Sequence, residues 1–487
     1  MMGLCPLRGG RARAACAILS VRGWIGASCG MMGAGPRELG RKCGLPSLSS
    51  CRNSAGDKRL ASRADRDCVM LKERIAAQGV SPDGLAQLPE TRPAPRGDFR
   101  FYDNRQKYLM FVNTCSEKWM IAQRIAAEID NLEPRPPALR VFDAGIGDGT
   151  VLSRAMRAMH ARFAHVPFYI AGKEISLEDV RLALDKMPDR LFEHPATVLA
   201  ITNISYADAP RLTLGPSSAH PGMVWKSIAL TGSTTAEFER QILELQPFLA
   251  AHWRTRTSPR TGSLVPETPT VLVLYRADHA FALDAAIPQP STCLADYDLV
   301  IASQPYRLRA PIAFKARRVL APLARALGPG GRLLGIHSAG QDPAQDIVTA
   351  IWPDEQPFVH SRRELMAATR QALGIDAADF SFDPATGHPA QFRYAMHTLP
   401  DEIETDAQTV GTSTLLAAWN AATYVAQIDE ERLAQAMTGS AYLDATRAVL
   451  RTSASLWFNN ESYLIVRKHP SDNGASSHDR TPLEIAA

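Results

Sequence analysis

A chain of 487 residues is long enough for one large core or two ordinary ones. Hydrophobic residues at 45% and charged residues at 21% are the proportions of a soluble globular protein rather than a disordered or fibrous one. The formal net charge of +4 is small for this length and gives no reason to expect nucleic acid or an anionic membrane surface as partner. No apolar run reaches the roughly 18 residues a spanning helix needs.

Residues 1–69 differ from the rest. Arg8, Arg11, Arg13, Arg22 and Arg37 all precede the first acidic residue, Glu38, and no periodicity is sustained. This composition reads either as a mitochondrial-type transit peptide or as a disordered leader, with Met70 a plausible true start. The leader holds Cys5, Cys16, Cys29, Cys43, Cys51 and Cys68, which leaves Cys115 and Cys293 for the folded part. No C-x-x-C occurs, so neither a metal site nor a disulfide framework is supported. Two isolated thiols suit a reducing compartment, and the expected location is cytoplasmic, or mitochondrial if the leader is a transit peptide.

From 70 to 137 the pattern is helical. Trp119, Ile121, Ala122, Ile125, Ala126 and Ile129 form an apolar stripe, and Glu133-Pro-Arg-Pro-Pro137 stops it because proline removes donors. An α/β alternation follows over 138–470. Strands are expected at Leu139–Ala144, Phe168–Ala171, Thr197–Thr202, Asp298–Ala302 and Arg332–His337. Helices are expected at Thr150–Phe163, Leu177–Met187 and Ser361–Leu373. Strands separated by helices imply a mostly parallel sheet covered on both faces. A long insertion, about 209–290, interrupts the third and fourth strands. It carries strand-like runs at Met223–Leu230 and Thr270–Tyr275, a helix at Thr235–His252, and a basic loop read as solvated surface. Two late strands, Phe392–Thr398 and Ser462–Lys468, bracket helical additions near 411–438 and 441–454. The polar tail 471–487 is expected to be disordered.

The sharpest local signal is Val141-Phe-Asp-Ala-Gly-Ile-Gly-Asp-Gly-Thr150. An apolar strand runs into Asp143, then Gly145, Gly147 and Gly149, then a helix. Residues without Cβ let the chain turn sharply and let its backbone approach a ligand. The spacing is G-x-G-x-G, and Thr150 stands where a dinucleotide binder has its third glycine.

This segment resembles motif I of the class I methyltransferases that use S-adenosyl-L-methionine (SAM), a Rossmann-like family. The resemblance implies a SAM-binding domain with Asp143 drawing the cofactor's ammonium and Gly145, Gly147 and Gly149 lining its path. Glu174, which ends Phe168-Tyr-Ile-Ala-Gly-Lys-Glu174, matches the acidic residue that holds both ribose hydroxyls in the family. Asn203 matches the residue that meets the adenine amino group, with Asp208 as fallback. After the fourth strand, Ser303-Gln-Pro-Tyr306 loosely resembles the [Asn/Asp/Ser]-x-Pro-[Tyr/Phe] sequence of the amine-methylating branches. There a side-chain oxygen, here that of Ser303, and a main-chain carbonyl would accept from a target amine and Tyr306 would stack on it, with Pro305 the third site residue of the motif. His337 is either a base or a hydrogen-bonded rim residue. Tyr102, Tyr108 and Lys118 are candidates for a lid. Leu327-Gly-Pro-Gly-Gly-Arg332 is read as a structural turn.

The expected activity is methyl transfer from SAM to a small-molecule or protein acceptor, an amine being one candidate. The alternatives are a non-catalytic SAM-binding module, a nicotinamide-dependent oxidoreductase, which the glycine spacing disfavours, and a nucleic-acid methyltransferase, which the modest charge disfavours.

Overall fold

Why does the middle of the chain form a sheet buried on both faces? Its central strands contain short, unbroken apolar runs. Leu299, Val300, Ile301 and Ala302 are all fully buried, so the alternation of an amphipathic strand is absent. The computed structural model describes residues 105–469, apart from 217–221, 260–262, 291–292, 294, 385–387 and 399–409. The expected leader, the start of the helical prelude with Tyr102, and the expected tail lie outside the described residues.

The strands in chain order are β1 (Leu139–Asp143), β2 (Phe168–Lys173), β3 (Thr197–Thr202), β4 (Val224–Leu230), β5 (Thr255–Thr257), β6 (Leu264–Pro266), β7 (Thr270–Arg276), β8 (Tyr297–Ser303), β9 (Leu327–Ser338), β10 (Phe380–Phe382), β11 (Gln391–Ala395) and β12 (Trp457–Arg467). Ten of them form one sheet in the order β10-β12-β9-β8-β1-β2-β3-β7-β4, with β11 also paired to β12. The block β9-β8-β1-β2-β3 is parallel throughout. Antiparallel pairs flank it, β12 against β9 and β7 against β3. β1 is central, and successive crossovers leave it in opposite directions, towards β2 and towards β8. That is the switch point at which open α/β sheets bind ligands, beyond the carboxyl ends of the strands.

The segment between β3 and β8 does more than interrupt the chain. Its strands β7 and β4 extend the same sheet, and helices Thr235–Leu243 and Gln246–His252 cover it, burying Phe238, Leu249 and Trp253. The basic loop after His252 contains the small β5–β6 hairpin. The Gly328–Gly331 turn is drawn into β9 as an irregularity: Tyr297 pairs with Leu327 and Leu299 with Arg332, so the glycine segment between them bulges from the ladder.

The sheet divides the apolar interior in two. After α1 (Arg105–Thr114), the helices α2 (Glu117–Ile129), α3 (Thr150–Arg162) and α4 (Leu177–Asp185) lie on one face. Ile121, Ile125, Leu152 and Met156 pack there against Val141, Ile301 and Leu334. The helical stretch 312–325 and helix Arg362–Leu373 close the other face with Val319, Leu323 and Leu365. Ser361 and Glu364 cap the latter helix reciprocally, which fixes its start at the expected place. A third cluster, with Phe111, Trp419, Tyr424 and Phe458, joins α1 to the C-terminal helices and β12. Among the described residues no helix is long and apolar enough to cross a membrane.

Candidate functional site

β1 leaves the sheet at Asp143 and reaches α3 within seven residues, through Ala144-Gly-Ile-Gly-Asp-Gly149. Gly147 and Gly149 have φ of 56° and 77°, a left-handed backbone that side chains with a Cβ resist. The glycines divide by surroundings. A Cβ on Gly149 would lie 2.7 Å from the Cα of Ala183, so this residue lets α3 and α4 approach. A Cβ on Gly145 would meet nothing within 4 Å, and one on Gly147 would meet the Tyr108 hydroxyl at 3.8 Å. The strand exit is therefore open beside Gly145 and Gly147 and packed at Gly149.

Two carboxylates flank the opening. Asp143 is 2% exposed and accepts the Gly145 N–H at 3.0 Å. Burial raises its pKa to about 6, the Gly145 hydrogen bond opposes the rise, Glu174 adds to it and Lys118 offsets it. Such a group ionises at neutral pH at a cost that a cationic partner would relieve. Glu174 follows β2. One of its oxygens accepts the Gly147 N–H at 2.9 Å, and the other accepts those of Ile175 and Ser176 at 2.7 and 2.8 Å. It pins the glycine loop to the end of β2, and the oxygen with a single bond keeps a second lone pair. The buried Trp253 indole donates to the Glu174 carbonyl at 2.9 Å, so the helices between β4 and β7 brace the same point.

α1 and α2 bring Tyr108 and Lys118, the two lid candidates within the described residues, to this loop. The Lys118 ammonium stands 5.8 Å from the Tyr108 ring centre and 3.6 Å from Glu117. Further carboxylates gather here. Asp148 sits at the start of α3, where its oxygens accept the Thr150 N–H and hydroxyl. Burial, and then the charge of Glu174, lift Asp179 to about 7. Burial pushes the Tyr108 hydroxyl far above its usual range, and Asp148, Asp179, Glu117 and Glu174 push it further. The loop is thus rich in carboxylates, with the Lys118 and Lys186 ammoniums beside it; Lys186 donates to the Asp148 carbonyl at 2.6 Å. At the N-terminus of α3, which a dinucleotide binder offers to a pyrophosphate, the Asp148 carboxylate already accepts the Thr150 N–H at 3.3 Å.

Asn203 requires a correction. It is 1% exposed and turned into the protein. Its amide nitrogen donates to the His252 and Thr268 carbonyls at 3.3 and 3.0 Å, and its oxygen accepts the Thr270 N–H at 2.9 Å. The side chain bonds the end of β3 to the start of β7 and does not face the opening. Sequence offers no sign of this, because the partner strand lies 67 positions further along. The fallback, Asp208, accepts from Ser205 and from the Gly215 N–H in its own loop.

Beyond β8 the chain turns through Gln304, whose φ of 47° is unusual for a residue with a side chain. Ser303 ends the strand. The Pro305 carbonyl accepts from the Tyr206 hydroxyl at 2.7 Å. The Tyr306 hydroxyl meets that of Tyr463 at 3.1 Å, and the Lys315 ammonium lies 5.0 Å from the Tyr306 ring centre. Pro305 and Tyr306 are thus engaged within the protein. Gln304, which the motif treats as a spacer, bridges instead: its amide donates to Glu117 at 2.9 Å and to Ser338 at 3.3 Å. Through Glu117 and Lys118 it links the β8 turn to the glycine loop. A cavity lies beyond it, lined by Gln304, Tyr306, Lys315, His337, Phe358 and His360 among others.

No family model matches the chain, and no curated protein does. Solved structures resemble it remotely. One is geranyl diphosphate methyltransferase in complex with SAM, at 11% identity over 71% of this chain and 85% of that one, TM-score 0.27. Another is Haemonchus contortus phosphoethanolamine N-methyltransferase 2 in complex with S-adenosyl-L-methionine, at 11% identity over 71% and 52%, TM-score 0.23. A third is PKMT2 from Rickettsia typhi, at 9% identity over 74% and 54%, TM-score 0.26. Likenesses this remote do not bear on the chemistry, which is argued from the site itself.

Proposed function

We propose that the chain binds SAM at the exit of β1 and transfers its methyl group to an acceptor held over the ends of β8 and β9. The observation that carries this reading is the open space at Gly145 and Gly147 between two buried carboxylates. Asp143, short of a cation and raised to about 6, would hold the cofactor's ammonium. Glu174 would accept a ribose hydroxyl with the lone pair left on the oxygen beside Gly147. Gly145 and Gly147 would line the path between them, and Tyr108 would cover it. When bound, the cofactor supplies a methyl group on a sulfonium, which is a good leaving group. The protein's own task is then alignment and exclusion of water.

The carboxylate-rich neighbourhood suits a ligand with positive centres and repels a pyrophosphate. This favours SAM over a nicotinamide dinucleotide. For an amine acceptor Ser303-Gln-Pro-Tyr306 offers only part of the motif's contacts, since the Pro305 carbonyl already accepts one hydrogen bond and the Lys315 ammonium lies over the Tyr306 ring. Titration of the full chain with SAM beside NADH tests the reading. Saturable binding of SAM alone is expected, and binding of NADH alone would overturn it. Release of S-adenosylhomocysteine with an added acceptor then separates an enzyme from a non-catalytic module.

A further inference from the structure

The cavity beyond the β8 turn is small and lacks carboxylates. The centre of a water-sized sphere has about 10 Å³ in which to move, which is room for a single water or a single ion little larger. Among the described residues that line it are one lysine, two histidines and two glutamines, with no aspartate or glutamate. Val359, half exposed, stands at its rim, so the space can exchange with solvent.

Lys315 supplies the charge. It opens a π-helical turn, a geometry frequent at functional sites. It is buried, its ammonium donates to the Leu308 carbonyl at 2.6 Å, and it lies 5.0 Å from the Tyr306 ring centre. An ammonium has three N–H donors, and only one of them meets an oxygen here. Among the described residues no carboxylate pairs with it. Burial accordingly pulls its pKa down to about 8, where an anionic neighbour would have held it up.

Two other lining side chains have donor capacity left. Gln427 is buried, and its oxygen accepts the Leu308 N–H at 3.0 Å, which leaves its NH2 end free. Leu308 thus fixes both groups, the ammonium through its carbonyl and the amide through its N–H. His337 is buried as well, with Nε2 2.9 Å from a Glu461 oxygen. Its Nδ1 has no hydrogen-bond partner among the described residues. A proton there makes Nδ1 a charged donor, and Glu461 balances that charge from the other side of the ring. Gln304 contributes no donor, because its amide hydrogens go to Glu117 and Ser338.

A buried ammonium without a counter-ion, beside further N–H donors, in a space for one small sphere, matches one class of ligand. We propose that this cavity is a binding site for a single halide ion, chloride, held by the Lys315 ammonium together with the Gln427 amide and the His337 Nδ1–H. A water would satisfy hydrogen bonds there but leave the charge of Lys315 unbalanced. No bond is made or broken. The ion neutralises a buried cation and braces the turn after β8, and the proposal stands apart from the methyl-transfer reading.

The test is thermal unfolding of the full chain in sodium chloride and in sodium methanesulfonate at equal ionic strength, the larger anion being unable to enter. An ion that binds only the folded state raises the midpoint, here by about 2 °C for each tenfold increase in chloride beyond half-saturation. Bromide should reproduce the rise. Lys315→Met should abolish it, and His337→Asn should weaken it. Equal midpoints in the two salts for the wild type would overturn the site and leave water as its occupant. A chloride response that persists in a folded Lys315→Met would overturn it too. If Lys315→Met fails to fold, the side-chain nitrogen resonance of Lys315 in the wild type decides: a shift on replacing methanesulfonate with chloride supports the site, and an unmoved resonance overturns it.

Discussion

Gly145 and Gly149 lie four positions apart in one turn, and alanine at each should have opposite consequences. At Gly149 the backbone is left-handed, with φ of 77°, and the new Cβ would stand 2.7 Å from Ala183 Cα and 2.9 Å from its Cβ. The conformation costs about 1–2 kcal/mol and the overpacking about 1–3, so Gly149→Ala should lose roughly 2–5 kcal/mol of stability. At Gly145 the Cβ meets nothing within 4 Å, and the backbone is outside the left-handed region. Stability should stay level or rise by up to about 1 kcal/mol, because alanine restricts the unfolded chain. The methyl would instead occupy space assigned to the ligand, and the affinity for S-adenosylhomocysteine should fall at least about tenfold, or about 1.4 kcal/mol. Urea unfolding followed by calorimetric titration reads both effects. Wild-type affinity in Gly145→Ala would refute the placement of the ligand. Unchanged stability in Gly149→Ala would refute the packing account.

Two further outcomes follow from charge and hydrogen bonding. Asp143 titrates at about 6 in the fold and near the ordinary carboxylate value when unfolded, so the folded state binds the proton more tightly between those pH values. Its contribution to stability therefore declines as pH rises from about 4 to about 6, by at most about 3 kcal/mol. Affinity for S-adenosylhomocysteine should run the other way and weaken below about pH 6, where Asp143 loses its charge. A pH series of calorimetry and unfolding checks both, and an affinity flat across that range would contradict the ammonium role. Asn203→Leu should cost about 1–3 kcal/mol, since it strips the buried Thr270 N–H of its acceptor and leaves the His252 and Thr268 carbonyls to share the Thr270 hydroxyl, yet leave the ligand affinity unchanged. A selective loss of binding in a stable Asn203→Leu protein would restore the adenine role that the geometry removes.

The order of strands and helices was legible because the middles of β1, β2, β3 and β8 are buried runs of mostly apolar residues. The glycine turn was legible because so few sequences satisfy its backbone. β12 was read as beginning at Ser462, whereas it begins at Trp457. After Trp457 and Phe458 it runs through Asn459-Asn-Glu461, polar residues that read as loop. The register with β9 places Glu461 opposite His337, which bonds it, and Asn460 opposite Ser338, where its side-chain amide is buried with no hydrogen-bond partner among the described residues. The same limit applies to Asn203, Gln304 and Glu117. Each polar side chain has a partner more than sixty residues away, and no local pattern announces a contact of that range. A single lysine in a helical stretch reads as surface, yet Lys315 is enclosed by the Leu308 carbonyl and the Tyr306 ring. His337 was noticed, but its pairing with Glu461 needed the antiparallel register of β9 and β12.

The account depends most on whether two buried carboxylates hold opposite ends of one ligand, and calorimetric titration with S-adenosylhomocysteine addresses that directly. The wild-type chain should bind at a single site, and Asp143→Ala and Glu174→Gln, each verified as folded, should both bind at least about tenfold more weakly. A wild type that ignores the ligand, or two folded variants that bind it as tightly as the wild type, would contradict the assignment.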